Sequence, residues 1–270
     1  MVNNTVKATT NPTLANSILD NVLNEEQPIE KANIKEPYDT LVNLPAGYIT
    51  PSGEVIKVAE VRELNGRDEE LISKADNMGK VFTTVLNRGV VKIGETPATE
   101  ELLDELLAGD RDALMLGIYR ATFGNTAPIP SYCNGCKEFK TVEVDIDTDI
   151  NIKELVDPIN DRGFTYKGTT KEYKVLLPNG KTQKEMAVQA DKTYAELTTL
   201  LLERTVIQID DSPVLGKFQV QNMGIVDRKN ITLEISKRSP GPLFDSVTVT
   251  CPDCTGEVVV PINLGALFQF

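Results

Sequence analysis

Val81, Val85 and Leu86 fall on one face of a helix, and Leu197, Leu201 and Leu202 repeat that spacing in the second half of the chain. Each stripe predicts a buried amphipathic helix. An arginine and a short strand-like run follow both: Arg88-Gly-Val-Val-Lys-Ile93 and Arg204-Thr-Val-Ile-Gln-Ile209. Further on, Asp110-Arg111 is matched by Asp227-Arg228, and Cys133 and Cys136 are matched by Cys251 and Cys254. All lie in one frame at an offset of about 117 residues. One such match carries no weight, but four in order predict a divergent duplication.

Each half then reads as a helix, a short strand or turn, a second helix opened by the Asp-Arg pair, and a hairpin carrying the cysteines. Gly47 to Val58 predicts a hairpin around Pro51-Ser-Gly53, and Asn179-Gly180 carries the signal of a tight turn. Glu100 to Leu107 predicts a short helix with Thr99 as cap and Gly109 as stop. A second, strongly apolar helix is expected over Ala113 to Phe123, capped by Asp110 and closed by Gly124. Arg111 and Arg120 are expected on the surface or paired with carboxylates. After the cysteines come alternating strands, Val142 to Ile146 and Val258 to Ile262. Asp145, Asp147 and Asp149 read as a solvated acidic strand face. The expected fold is α+β, two pseudo-repeated helix-plus-hairpin units joined by a shared four-cysteine, zinc-ribbon-like site.

Three segments follow from this reading: an N-terminal extension over 1–40, a first unit over 41–155 and a second over 156–270. The extension holds one amphipathic run, Leu14 to Leu23, too short to be a stable helix alone. The apolar end of the chain, Leu264 to Phe270, is expected to join the core.

Candidate chemistry is confined to the cysteines. The chain has four cysteines and no histidine, and the cysteines form two pairs, Cys133-Asn-Gly-Cys136 and Cys251-Pro-Asp-Cys254. A Cys-x-x-Cys turn aims two thiolates at one ion, and a closed structural site needs four ligands. With no imidazole to recruit, the two pairs are expected to share one structural zinc ion through Cys133, Cys136, Cys251 and Cys254. An all-thiolate site suits zinc or iron, and knuckles embedded in hairpins favour zinc. A disulfide reading needs an oxidising compartment, and no secretory pattern opens the chain at Met1. A redox reading expects the motif at a helix start, whereas both pairs here precede strands.

Charge narrows the partners. Lys plus Arg number 28 against 40 Asp plus Glu, a net charge of -12, which repels phosphate backbones and argues against nucleic acid. No apolar run is long enough to span a bilayer. No phosphate loop, dinucleotide fingerprint or histidine base is present, so no enzyme is expected.

The order Val61-Arg-Glu-Leu-Asn-Gly-Arg-Asp-Glu-Glu70, Leu86-Asn-Arg-Gly89, Leu106-Leu-Ala-Gly-Asp-Arg-Asp-Ala-Leu114 and then the two cysteine pairs resembles tailed-phage baseplate proteins. Over about 45 to 264 it is similar to the T-even-type baseplate hub family of zinc-knuckle proteins. The four cysteines match that family's knuckles, and Gly109, Asp110 and Arg111 match its helix-opening motif. The chain departs from the pattern at Lys137 and Thr255, which stand where a glycine would follow each second cysteine. The resemblance implies a structural or assembly component of the tail tip that binds hub or tape-measure proteins. It also implies several copies in a ring, in a virion assembled in the host cytoplasm. Two other readings remain: a tail-assembly chaperone absent from the virion, and an intracellular zinc-ribbon regulator.

Overall fold

Two runs of elements that share one order as far as their last long helix follow one another in the structure, a computed structural model that describes residues 39–189 and 191–268. The amphipathic run over 14–23 lies outside the described residues. The first run comprises β1 (Leu41–Ile49), β2 (Val55–Val61), α1 (Gly66–Ile72), α2 (Met78–Gly89), β3 (Val90–Ile93), β4 (Thr96–Pro97), α3 (Glu100–Glu105) and α4 (Ala108–Phe123). A hairpin, β5 (Thr126–Cys133) and β6 (Glu138–Asp145), then leads to a helical turn, α5 (Ile146–Asp149), and to β7 (Ile152–Lys153). The second run comprises β8 (Gly163–Lys167), β9 (Glu172–Leu176), α6 (Gly180–Val188), α7 (Tyr194–Thr205), β10 (Val206–Ile209), β11 (Ser212–Pro213), α8 (Lys217–Gln221) and α9 (Ile225–Arg238). After β12 (Gly241–Pro242) it too closes with a hairpin, β13 (Val247–Thr250) and β14 (Glu257–Val260), and a turn, α10 (Leu264–Leu267). The fold is α+β. Each run builds one antiparallel sheet, in the order β1-β2-β3-β4 and β8-β9-β10-β11, while β7 pairs with β12 across the two runs.

Local chemistry explains where these elements begin. Asn65 accepts from the Arg67 and Asp68 amides, and Asp68 reaches back to the Asn65 amide, a capping box that opens α1. Arg62 (2.8 Å) and Arg88 (2.6 Å) also grip the buried Asp68 carboxylate, and the Arg62 hydrogen bond does most to hold it well below the usual carboxylate range. The motif Arg62 to Asp68 therefore ties α1 to the corner between α2 and β3. Asn179 caps α6 by accepting from the Thr182 amide, so Asn179-Gly180 opens a helix instead of turning a hairpin. Dipeptide chemistry alone does not separate the two, because Asn is both a favoured turn residue and a favoured cap.

Two further expectations shift. α4 begins at Ala108, five residues before Ala113, so Gly109 sits in its first turn and stops nothing. Gly109 is glycine because the Pro240 carbonyl and Gly241 lie where a Cβ would stand. The acidic run after β6 is a helical turn: Asp145 accepts from the Asp147 and Thr148 amides and caps α5.

The Asp-Arg pairs do matching work in the two runs. Arg111 donates to the Leu103 carbonyl (3.0 Å) and Arg228 to the Val220 carbonyl (2.9 Å), each reaching the short helix just before its own. Arg111 is buried and paired with Asp104 at 3.2 Å, and Arg120 pairs with Asp147 at 3.3 Å. Asp110 and Asp227 are both buried, and each holds the first hairpin of its run. Asp110 accepts from the Ala46 and Gly47 amides at 2.7 and 3.3 Å, and Asp227 accepts from the Thr169 amide and the Tyr173 hydroxyl. The Ala46 and Gly47 amides are free to do so because β1 bulges between Asn43 and Tyr48, which takes them out of the ladder.

Buried side chains gather into a large and a small core. The large one combines β1 to β3, α2 to α4 and the β5-β6 hairpin with Val258, Val260, Ile262, Leu267 and Phe268 from the end of the chain. Phe268 meets Tyr119 edge-on at 5.5 Å. The small core belongs to the second run and contains Tyr173, Val175, Leu202, Val206, Ile231 and Ile235. Ala46, Leu107, Leu155 and Leu177 join the two runs.

Burial raises the Asp110 carboxyl to about 6, while the neighbouring amides and the Arg162 charge pull the other way. A raised folded pKa favours the fold below the unfolded value of 3.8, and that contribution is lost as pH climbs through about 6. Asp112, also raised to about 6 by burial, behaves alike and is present in parent and variant. In urea titrations, the unfolding free energy of the parent relative to Asp110→Asn should fall by about 2–3 kcal/mol between about pH 4 and pH 7. A constant difference would remove Asp110 as the source.

Candidate metal centre

Both cysteine pairs sit at the tip of an antiparallel hairpin. Cys133 ends β5 and faces Glu138 across the ladder, while Cys251 follows β13 directly, beyond the Thr250-Glu257 pair. In each tip the amide of the residue after the second cysteine donates back to the first cysteine's carbonyl: Lys137 to Cys133 at 2.9 Å and Thr255 to Cys251 at 3.0 Å. That turn forces a left-handed residue, and Lys137 (φ 58°) and Thr255 (φ 56°) adopt it. These are the two positions where the sequence lacks the expected glycine. A β-branched residue at such a φ is strained, by about 1–3 kcal/mol, and persists only where its surroundings hold it.

The four Sγ atoms lie within 4.8 Å of one another. Cys133 approaches Cys254 at 3.5 Å and Cys136 approaches Cys251 at 3.9 Å, so each contact joins one knuckle to the other. All four thiols are free, and Cys133 and Cys251 are buried. A tetrahedron of thiolates with metal-sulfur bonds of about 2.3 Å has edges of about 3.8 Å. These separations match that figure and are far too long for disulfides. The donor set therefore fits one four-coordinate ion, and its softness suits zinc or iron.

Electrostatics points the same way. The Cys136 amide lowers the Cys133 thiol to about 6, whereas burial and the adjoining thiols push Cys136 up to about 12. Four thiolates so close together repel, and a divalent cation is the group that offsets the repulsion. Outside the sulfur cluster, Lys140 on β6 bonds Asp253 of the other knuckle at 2.5 Å and Glu138 at 2.7 Å. The hairpins approach so closely that a Cβ on Gly135 would stand 2.6 Å from Cys254 Sγ.

The other motif residues have structural partners. Arg62, Asn65, Asp68 and Arg88 form the cap and corner described above, and Gly89 is packed against Ile118, which leaves no room for a Cβ. A model of the T4 bacteriophage base plate protein family matches residues 48–211. The chain belongs to this family. The matched span contains the first knuckle and ends before the second, so Cys251 and Cys254 are supplied by residues beyond it. A base plate protein of this kind is a phage tail component. Comparison with curated proteins and with solved structures returned no match. Among the described residues, no helix is long and apolar enough to cross a membrane.

Sequence reading missed the Gly135 contact and Lys140. An alternating hairpin carries a signal for which residues face inward, but none for which foreign hairpin they meet. Gly135→Ala should weaken metal retention at least tenfold in a chromogenic chelator competition, with Gly53→Ala, a turn glycine distant in sequence, as control. Thr255→Gly should relieve the left-handed strain and raise stability by about 1 kcal/mol, read by urea unfolding of the metal-loaded protein.

Proposed function

We propose that this base plate protein is a fixed structural part of the tail tip, docking to hub or tape-measure proteins in several copies, with one zinc ion held by Cys133, Cys136, Cys251 and Cys254. The observation that carries the reading is the sulfur cluster in a chain of this family: four cysteines from two hairpins, the full ligand set of a closed structural site. A closed thiolate site supplies rigidity and no reactivity, so the role is non-enzymatic. When bound, the metal converts its binding energy into folding energy.

We further infer that the chain is two copies of one unit, 41–155 and 156–270, preceded by an extension over 1–40. The matching sheet orders and the paired Asp-Arg contacts support this division. In such a molecule the ion links the closing hairpins of both copies. A tail-assembly chaperone absent from the virion is the second reading, since a base plate family match is equally compatible with a part used only during tail construction.

Metal analysis should find one zinc per chain. Two ions, or none in protein purified without chelator, would sink the shared site. Cys254→Ser should release the metal and lower the melting temperature of both runs in one transition, whereas a loss confined to the last hairpin would show that the knuckles are independent. Mass spectrometry of purified virions should detect the chain, and its absence there would favour the chaperone. Binding to duplex DNA should be undetectable at about 50 mM salt, since steep salt-dependent affinity is the mark of a regulator.

A further inference from the structure

Four large apolar side chains of the second run stand in solvent beside the α8-α9 junction. Leu215 is 87 % exposed, Phe218 77 %, Ile225 84 % and Val226 63 %. Ile225 and Val226 also border a cavity of about 400 Å³ that Lys171 and the buried Asp227 line as well. Surface leucines scattered singly need no explanation, but a cluster at one junction does.

The corresponding junction of the first run, α3-α4, is covered from within the chain. The Ala108 amide donates to the Pro178 carbonyl at 2.9 Å, and the Gly180 amide donates to the Leu106 carbonyl at 2.7 Å. The covering loop carries Asn179-Gly180, and its glycine is obligatory. A Cβ on Gly180 would lie 2.5 Å from Arg111 Cδ and 2.6 Å from the Leu103 carbonyl. In the first run the counterpart of this loop is Asn65-Gly66, which opens α1 with the same asparagine cap. Yet a Cβ on Gly66 would meet nothing within 4 Å, and its φ is outside the left-handed region. Among the described residues nothing requires glycine there, although glycine in a helix costs stability.

We propose that the α8-α9 junction of one copy receives the Asn65-Gly66 loop of a second copy, repeating between chains the packing that Asn179-Gly180 makes within one. This rests on the reading of the chain as two copies of one unit. Charge supports the same occupant: Lys171, Lys217 and Lys229 are exposed near the apolar cluster of a chain whose net charge is -12, while Glu63, Glu69 and Glu70 are exposed beside Gly66, where Arg62 and Arg88 are spent on the buried Asp68 and Arg67 is the remaining arginine of the loop. Each copy carries one acceptor and one donor, so the contact is heterologous and propagates copy to copy into a ring or a filament.

Sedimentation of the full, metal-loaded chain up to about 100 µM tests this with two variants chosen to spare the fold. Ile225→Asp places an acid at an exposed helix start, and Gly66→Leu places a side chain in open space. The parent should associate beyond a dimer. Each variant alone should be monomeric with an unchanged melting temperature, and an equimolar mixture should form 1:1 dimers and nothing larger, because each variant keeps one intact face. A monomeric parent overturns the proposal, as does a mixture that stays monomeric. Assembly lost in Ile225→Asp but kept in Gly66→Leu also overturns it, and hands the apolar cluster to another occupant such as residues 14–23. A virion without the protein would sink the structural role and leave this contact standing, whereas a monomeric parent found in virions would do the reverse.

Discussion

A pair of thiolates with no histidine in the chain is an incomplete ligand set, and the rest of the architecture turns on how it is completed. The second hairpin leaves the core of its own run and packs on the first, where Val258, Val260 and Ile262 join the side chains of α4 and β5. That displacement brings Cys251 and Cys254 to Cys133 and Cys136 and leaves the second run with the smaller core. The path is set by β12: Gly241, at φ 120°, turns the chain after α9, and the two-residue pairing with β7 aims it at the first hairpin. Gly109 opposite must then be glycine, because the Pro240-Gly241 backbone runs over the first turn of α4.

This arrangement explains why two similar runs end up unlike each other. At the cysteine tips they meet symmetrically, first cysteine to second in both directions. Elsewhere the contact is one-sided. The β9-α6 loop covers α3-α4, whereas Gly66 of the β2-α1 loop faces open space. Substitution follows the asymmetry: Ala108-Gly109 are small where backbone crosses them, and Ile225-Val226 are large where none does.

Much of this was legible in the residues, and the parts that were not share a cause. Helical stripes such as Val81, Val85 and Leu86, the paired hairpins and the convergence of four cysteines follow from periodicity and ligand chemistry, which are local or nearly so. The Asn179-Gly180 helix start, the early beginning of α4 and the Asp145 turn were misread because the same residues serve turns, caps and strand ends, and tertiary packing chooses among them. At Lys137 and Thr255 the chain departs from the glycine pattern. The structure keeps the left-handed turn and stores the strain instead.

The position of the last hairpin also orders events in time. Synthesis runs from the N-terminus, and domains ordinarily fold as they emerge. Here the large core is built mainly from residues before 151 but closes only with Cys251 to Phe268. A ribosome that has made the first run has therefore made a unit with an open side and half a ligand set. Completion waits for the second hairpin, and a chain interrupted before Cys251 leaves its first-made half as unfinished as its last.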